Sequence, residues 1–528
     1  MLGLSSAYAQ ENTFQCKADQ TCVNFVLMND VYQWRPYPAD SMGTLSRVST
    51  YLKHTRSKWP QSQFLFAGDL LSPSPESQIT KGLHMVEALN MLKVDVATLG
   101  NHEFDFGAEG VTNAIKLSAF PWLGGNITIT DAKQLNPELI HPYKVIEQKG
   151  KRILVVGVLT PETLEINNVN GFMTIKDPTE YLKKNIDSWI KKESPDLVVA
   201  LTHLNIAEDR ALAAALPQLD AIFGGHDHDQ MLEDVNGIPI IKHDSDAKTI
   251  GHVQFNLPKQ KPHIKRYFWS RKPKGDVTPI DEWHYEATAL TPKRFVEDKD
   301  FEARIFAKYN LASLDAALGM IPSDWDLRQA SVRGHHSRTA QRMAAIMREY
   351  GKVDIAIING GGIRGDRVLA AGVVSKRDML QALPFNNTPV VLDLNASELK
   401  NLFEKSMKQS ESNPNWGGNL HASGITLVVD AENPAVVSQI LDAKTGKPLD
   451  PNTMYRVLVN DYLAQGGNGY DIFKVARGIS ESRGRLKVYT QTQADFIGEA
   501  IKTLPFETLR RLSNESPSVQ FTLKAVDQ

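Results

Sequence analysis

"VDVATLGNHEFDFG", residues 94–107, runs from a short β-rich stretch straight into a loop that carries Asn101, His102 and Asp105. The same join of apolar run to polar loop recurs four times more in the first half of the chain. Val23, Phe25, Val26, Leu27 and Met28 lead to Asp30, and "QFLFAGDL" delivers Asp69. "DLVVALTHL" delivers His203, and "LDAIFGGHDH" delivers His226 and His228. Loops that follow strand ends are where an α/β sheet presents ligands to a crevice. Amphipathic stretches at 78–92 and 178–192 fit helices between these strands, so residues 22–260 read as α/β.

At 528 residues the chain exceeds one ordinary core, and at least two domains are expected. A composition of 42% hydrophobic and 23% charged residues is that of a soluble globular protein. The formal net charge of −2 offers no electrostatic reason for a nucleic acid or an anionic membrane as partner. The longest apolar runs, such as "ILVVGVL" from Ile153, are too short to span a bilayer. "MLGLSSAYAQEN" has small residues at Ala7 and Ala9 ahead of polar ones. It reads as the tail of a secretory signal, the alternative being a short disordered start. An oxidising compartment would let Cys16 and Cys22 close a small loop, while thiols so near a terminus suit neither catalysis nor zinc.

Residues 258–300 are rich in Lys, Pro and mixed charge and show no clear core period. "KDFEARIFAKYNLASL" then predicts a helix at the link between domains. A second α/β pattern starts near Ile321, with "HSRTAQRMAAIMREYG" as helix and "VDIAIINGGGIRG" as strand into a glycine-rich loop.

One histidine at a strand end is more often structural than a ligand. Five strand-end motifs holding carboxylate, amide and imidazole donors suit two divalent metal ions such as Mn, Zn, Fe or Mg. A bridging aspartate would hold such ions about 3.5–4 Å apart, where together they activate water and neutralise a phosphoryl oxygen.

"GNHEFDFG" and "NGGGIRG" (359–365) make the chain resemble the 5′-nucleotidase family of calcineurin-like metallophosphoesterases, of the two-domain, periplasmic UDP-sugar hydrolase/5′-nucleotidase type. The resemblance implies an N-terminal metallophosphoesterase β-sandwich flanked by helices and a C-terminal α/β 5′-nucleotidase domain. The corresponding ranges are 1–15 for a signal remnant, 16–295 for the dimetal domain, 296–316 for a linker helix and 317–528 for substrate binding. It implies Asp69 as metal bridge, Asp30 and His228 on one ion, and Asn101, His203 and His226 on the other. His102 would face the scissile phosphate, with Asp105 orienting its ring; that pairing also follows from chemistry, since a carboxylate fixes the imidazole tautomer. In the second domain it implies Asn359 and Arg364 at the substrate, Arg364 because its fork matches phosphate oxygens. Arg333 and Arg367 are weaker candidates, and Arg367 reads better as a solvated arginine. Phe385 and Tyr462 match positions where the family stacks a nucleobase, the alternative being that both are core. The implied activity is phosphate removal from nucleotides, in the periplasm or outside the cell, by in-line attack of metal-bound hydroxide.

Three positions depart from the family pattern. Tyr32 stands where an imidazole is usual, Asn468 stands where a ribose-binding Asp is usual, and "RGHHSRTA" replaces the usual sequence after Arg333. His335 and His336 in that stretch read as exposed helix-start residues or substrate contacts. Tyr32 either ligates as a phenolate, leaves one ion short of a protein ligand with water in its place, or points away and packs. The expectation is the weakened site. A cyclic nucleotide or nucleotide sugar as substrate, and a binding protein on the same scaffold, are the competing readings.

Overall fold

The computed structural model describes residues 16–36, 41–166, 169, 171–259, 283–309, 311–334, 337–413, 415–430, 433 and 435–522. The signal-like residues 1–15, most of the charged stretch before Trp283, and His335 and His336 lie outside the described residues. The described chain forms two compact units, residues 16–72 with 80–309, and residues 73–79 with 311–522.

The first unit is built on two sheets. One has seven strands in the order Trp283–Ala289, Thr249–Pro258, Gln20–Met28, Gln63–Phe66, Val96–Thr98, Trp122–Leu123 and Ile140–His141. The other has six, in the order Met231–Val235, Ile238–Lys242, Ala221–Gly224, Leu197–His203, Lys151–Leu159 and Tyr143–Gln148. Phe25, Leu65, Val96 and Phe255 from the first sheet and Val155, Val199, Leu201 and Phe223 from the second share one buried core, which makes the pair a sandwich. The outer face of the second sheet buries Leu154, Val156 and Val198 against Leu182 and Ile186 of the helix Pro178–Glu193. That helix starts where the periodicity places it, because Asp177 accepts the Glu180 amide and Pro178 needs no donor partner.

Two elements differ from the sequence reading. The helix expected over 78–92 is two, Pro75–Thr80 and Leu83–Leu92. Lys81 and Gly82 between them turn left-handed, at φ 54° and 78°. A Cβ at Gly82 would stand 2.6 Å from the Leu71 Cα, so close backbone approach overrides the helical period there. The stretch without core period contains the edge strand Trp283–Ala289, antiparallel to Thr249–Pro258. Only Trp283 and Tyr285 of it lean on the core, which is why its signal is weak.

Cys16 and Cys22 are joined by a disulfide, their Cα atoms 5.8 Å apart. Among the described residues no helix is long and apolar enough to cross a membrane.

The second unit carries a five-stranded sheet ordered Leu420–Ser423, Ile355–Asn359, Tyr455–Asn460, Pro389–Leu394 and Lys487–Val488. Leu399, Leu402, Phe403 and Met407, the apolar face of the helix Ala396–Ser412, pack on Ile357, Leu392 and Val457 of that sheet. Asn395 and Glu398 form a reciprocal capping box at the helix start.

Candidate metal centre

Strands Gln20–Met28, Gln63–Phe66 and Val96–Thr98 run parallel, as do Lys151–Leu159, Leu197–His203 and Ala221–Gly224. Their C-terminal ends therefore release the polar motifs on one side of the sandwich. Glycines let the loops close on one another. A Cβ at Gly100 would lie 2.1 Å from Asp69 Oδ1, and one at Gly225 would lie 2.9 Å from Asp30 Oδ2. Four of the donor residues adopt positive φ themselves: Asp30 (51°), Asp69 (64°), His226 (82°) and His228 (67°). Left-handed backbone costs an L-residue about 1–2 kcal/mol, and such strain collects at functional sites.

Asp30, Asp69 and His203 are buried and place one donor atom each within 4.8 Å of one another, as residues holding a cation do. The donors fall into two groups that share Asp69 Oδ2. In one group His203 Nε2 lies 3.3 Å from Asp69 Oδ2. Asn101 Oδ1 lies 3.2 Å from His203 Nε2 and 3.1 Å from His226 Nδ1. In the other, His228 Nε2 lies 3.3 Å from Asp30 Oδ1. The Tyr32 hydroxyl joins this second group, 3.1 Å from Asp69 Oδ2 and 2.9 Å from His228 Nε2. Tyr32 thus does not point away from the site.

The surroundings orient these donors. His203 Nδ1 donates to the Ala67 carbonyl at 2.8 Å, which fixes the ring with Nε2 turned toward Asp69. Asp30 Oδ2 accepts the Asn29 amide at 2.6 Å and the His226 N–H at 2.9 Å, turning its other oxygen toward His228. Burial pushes the Asp30 and Asp69 carboxyls up, but nearby imidazoles (His228 and His203 for Asp30, His203 and His102 for Asp69) outweigh it and hold both below the usual range. Burial acts to lower His203, yet the same carboxylates raise it well above an ordinary imidazole. Such a buried, anionic donor set fits a divalent cation.

His102 stands beside the cluster. Its Nδ1 is 2.8 Å from Asp105 Oδ2 and its Nε2 is 4.0 Å from Asp69 Oδ2. Its side chain keeps 16% of its surface, enough to meet a substrate.

Several supporting residues escaped the sequence reading. Glu103 is fully buried and accepts the amides of Asp69 (3.0 Å), Leu70 (2.6 Å) and Gly100 (2.5 Å). Burial, then the Asp69 charge, pushes its carboxyl up to about 7. The glutamate three places after Gly100 has capping-box spacing, the signal that marks it. Glu162 Oε2 lies 3.4 Å from His226 Nε2, and Asp246 Oδ1 accepts the amides of Tyr32 and Gln33. No local pattern announces these two, since their partners are 64 and 214 residues away in sequence.

In the second unit the glycine-rich loop follows strand Ile355–Asn359. Arg364 Nε donates to the Gly361 carbonyl at 3.0 Å, and its guanidinium lies 5.2 Å from the centroid of the Phe385 ring. Arg333 donates to the Asn415 carbonyl at 2.6 Å; burial, then repulsion from Arg364, pulls it down to about 10. Two crowded guanidinium groups make an anion-seeking patch. Asn359 accepts from Asn460 Nδ2 at 3.1 Å. Arg367 pairs with Asp378 at 2.6 Å. Phe385 and Tyr462 are half-buried. The Tyr462 hydroxyl accepts the Asn468 N–H at 3.1 Å, and Asn468 Oδ1 is buried without a hydrogen-bond partner.

Comparison with known proteins agrees with this architecture. Residues 23–230 match the calcineurin-like phosphoesterase family and residues 316–475 match the 5′-nucleotidase C-terminal domain. The chain is 27% identical over 446 residues to Protein UshA of Yersinia enterocolitica, covering 77% of this chain and 78% of that protein. It is 27% identical over 447 residues to a 5′-nucleotidase of Vibrio cholerae, covering 77% of each. The fold matches the 5′-nucleotidase precursor of Thermus thermophilus with a TM-score of 0.74 at 23% identity, over 96% of this chain and 100% of that one. The chain belongs to the two-domain 5′-nucleotidase family of calcineurin-like metallophosphoesterases, and it is a phosphoric ester hydrolase.

Proposed function

We propose that the chain is an exported, dimetal phosphohydrolase that removes phosphate from nucleotides. The observation that carries the reading is the pair of donor groups sharing Asp69 Oδ2, with His102 beside them. Asp30, Asp69 and His228 would hold one ion, and Asp69, Asn101, His203 and His226 would hold the other. When bound, such ions supply Lewis acidity at phosphoryl oxygens and a more acidic water. His102 does the proton work. Asp105 Oδ2, 2.8 Å from Nδ1, orients the ring and leaves Nε2, on the cluster side, to pass a proton to the departing oxygen. Residues 16–295 carry this chemistry, 296–316 link, and 317–528 recognise substrate. There Arg364 and Arg333 take phosphate, Asn359 and Asn468 offer amides, and Phe385 and Tyr462 flank the base. Export is supported by the small-residue pattern at Ala7 and Ala9 and by the Cys16–Cys22 disulfide.

A hydrolysis panel tests the reading. After chelation, AMP, UDP-glucose, a 2′,3′-cyclic nucleotide and p-nitrophenyl phosphate are offered with Mn, Zn, Co or Mg. Fastest metal-dependent phosphate release from AMP is expected. Faster turnover of the nucleotide sugar or the cyclic ester moves the substrate class, as Asn468 in place of a carboxylate allows. Absence of turnover with every metal overturns the metal-dependent nucleotide reading.

A further inference from the structure

The second donor group keeps a fourth member, because the residue that departs from the family pattern has turned inward. Four atoms converge there: Asp30 Oδ1, Asp69 Oδ2, His228 Nε2 and the Tyr32 hydroxyl oxygen. Tyr32 stands 3.5 Å from Asp30, 3.1 Å from Asp69 and 2.9 Å from His228, and His228 stands 3.3 Å from Asp30. Donors about 2.1 Å from a common ion are about 3.0–3.4 Å apart along the edges of an octahedron or tetrahedron. The observed spacings are those of such edges. One phenol proton can serve Asp69 Oδ2 while His228 Nε2–H donates to the phenol oxygen, and the approach of Asp30 Oδ1 at 3.5 Å is then left without a proton of its own.

The position is also built. Asp246 Oδ1 accepts the Tyr32 N–H at 2.9 Å and the Gln33 N–H at 3.1 Å. Asp246 itself donates its N–H to the Asp30 carbonyl at 2.8 Å, and Val31 donates to the Asp69 carbonyl at 3.0 Å. The Tyr32 ring meets His102 edge-on with centroids 5.9 Å apart and leans on His228 at 5.6 Å. At 7% exposure the side chain is buried.

We propose that the Tyr32 oxygen is a direct protein donor to the ion held by Asp30 and His228, its hydroxyl proton passing to solvent as the cation binds. This replaces the water-filled, weakened site expected from the sequence. Three oxygens and one imidazole make this the harder of the two sites, suited to a ferric ion where its neighbour takes a borderline divalent one. The inference rests on the dimetal reading above.

The test uses the full chain, stripped with a chelator and titrated with Fe(III) and, separately, Mn(II). Iron-loaded protein is expected to show a visible phenolate-to-iron charge-transfer band. Tyr32→Phe, shown folded by circular dichroism, is expected to lose the band and to bind one Mn(II) at least tenfold more weakly. Tyr32→His is expected to restore that affinity without the band, which a merely packing tyrosine does not predict. Wild-type protein that binds two ions but shows no band, or a band that survives in Tyr32→Phe, overturns the Tyr32 assignment alone. Protein that binds no metal overturns the dimetal reading with it.

Discussion

Lys242 Nζ lies 2.8 Å from Asp209 Oδ2, with both side chains sealed from solvent. The same ammonium donates to the Leu204 carbonyl at 2.6 Å and the Gly225 carbonyl at 2.9 Å, and pairs with Asp227 at 2.5 Å. It thereby ties the residue after His203 to the residue before His226. Removing one partner of a buried ion pair typically costs about 3–5 kcal/mol, because the other charge stays buried alone. Lys242→Met should destabilise the first unit by that amount in a denaturant melt of the full chain. Adding Asp209→Asn should recover part of the loss. A Lys242→Met melt matching wild type would show that the network carries no such weight.

His102 and Asp69 should separate chemistry from metal binding. His102→Ala is expected to lower kcat by about 10²–10⁴-fold with metal content unchanged, the usual range for acid–base assistance. Asp69→Ala should lose metal outright, since both donor groups use its Oδ2. Elemental analysis beside the rates decides between these roles. Equal metal loss in the two variants would make His102 a ligand.

Phe385 and Arg364 should divide substrate recognition. Stacking on an aromatic ring is worth about 1–3 kcal/mol per base, or about 5–150-fold in affinity. Phe385→Leu should raise KM for AMP within that range and leave p-nitrophenyl phosphate little changed. Arg364→Ala should weaken both substrates while metal content holds. Equal losses on both substrates in Phe385→Leu would assign that ring to packing.

Acid stability should report on His252. Its ring is 2% exposed, donates to Asn24 Oδ1 at 3.1 Å and lies 4.3 Å from the Trp59 ring. Burial pulls it from the ordinary 6.5 down to about 4. Below pH 6.5 the unfolded chain takes up a proton that the folded chain refuses until about pH 4, so stability falls as pH falls through that window. The slope from this ring is about 1.4 kcal/mol per pH unit at most. Unfolding free energies of His252→Gln between pH 4 and 6.5 should show a shallower dependence than wild type. An unchanged slope would mean the folded ring protonates as readily as the free one.

The strand-end motifs were legible because each strand and the loop it feeds are adjacent in sequence. Asp30, Asp69, Asn101, His203, His226 and His228 could be picked out one at a time, and the parallel strands then bring them together. Residues whose meaning lies in distant partners were not legible. Lys242 ends an apolar strand with nothing nearby to mark it, and Asp246 acts on a backbone 214 residues earlier. The break at Lys81 and Gly82 was hidden for the same reason, since it answers to the Leu71 backbone rather than to the helical period.

The left-handed backbone at Asp30, Asp69, His226 and His228 bears on how this centre can change over generations. Such a conformation admits glycine, asparagine, aspartate and histidine far more readily than other residues. A replacement must therefore satisfy the peptide geometry before its side chain is judged as a donor. Glutamate keeps the charge of Asp30 and Asp69 yet suits the turn poorly, while asparagine keeps the turn and gives up the charge. Position 32 lies outside these turns, where its backbone is held by Asp246. There the centre can exchange one donor for another without rebuilding the loop, and an aromatic alcohol could enter where the family uses an imidazole.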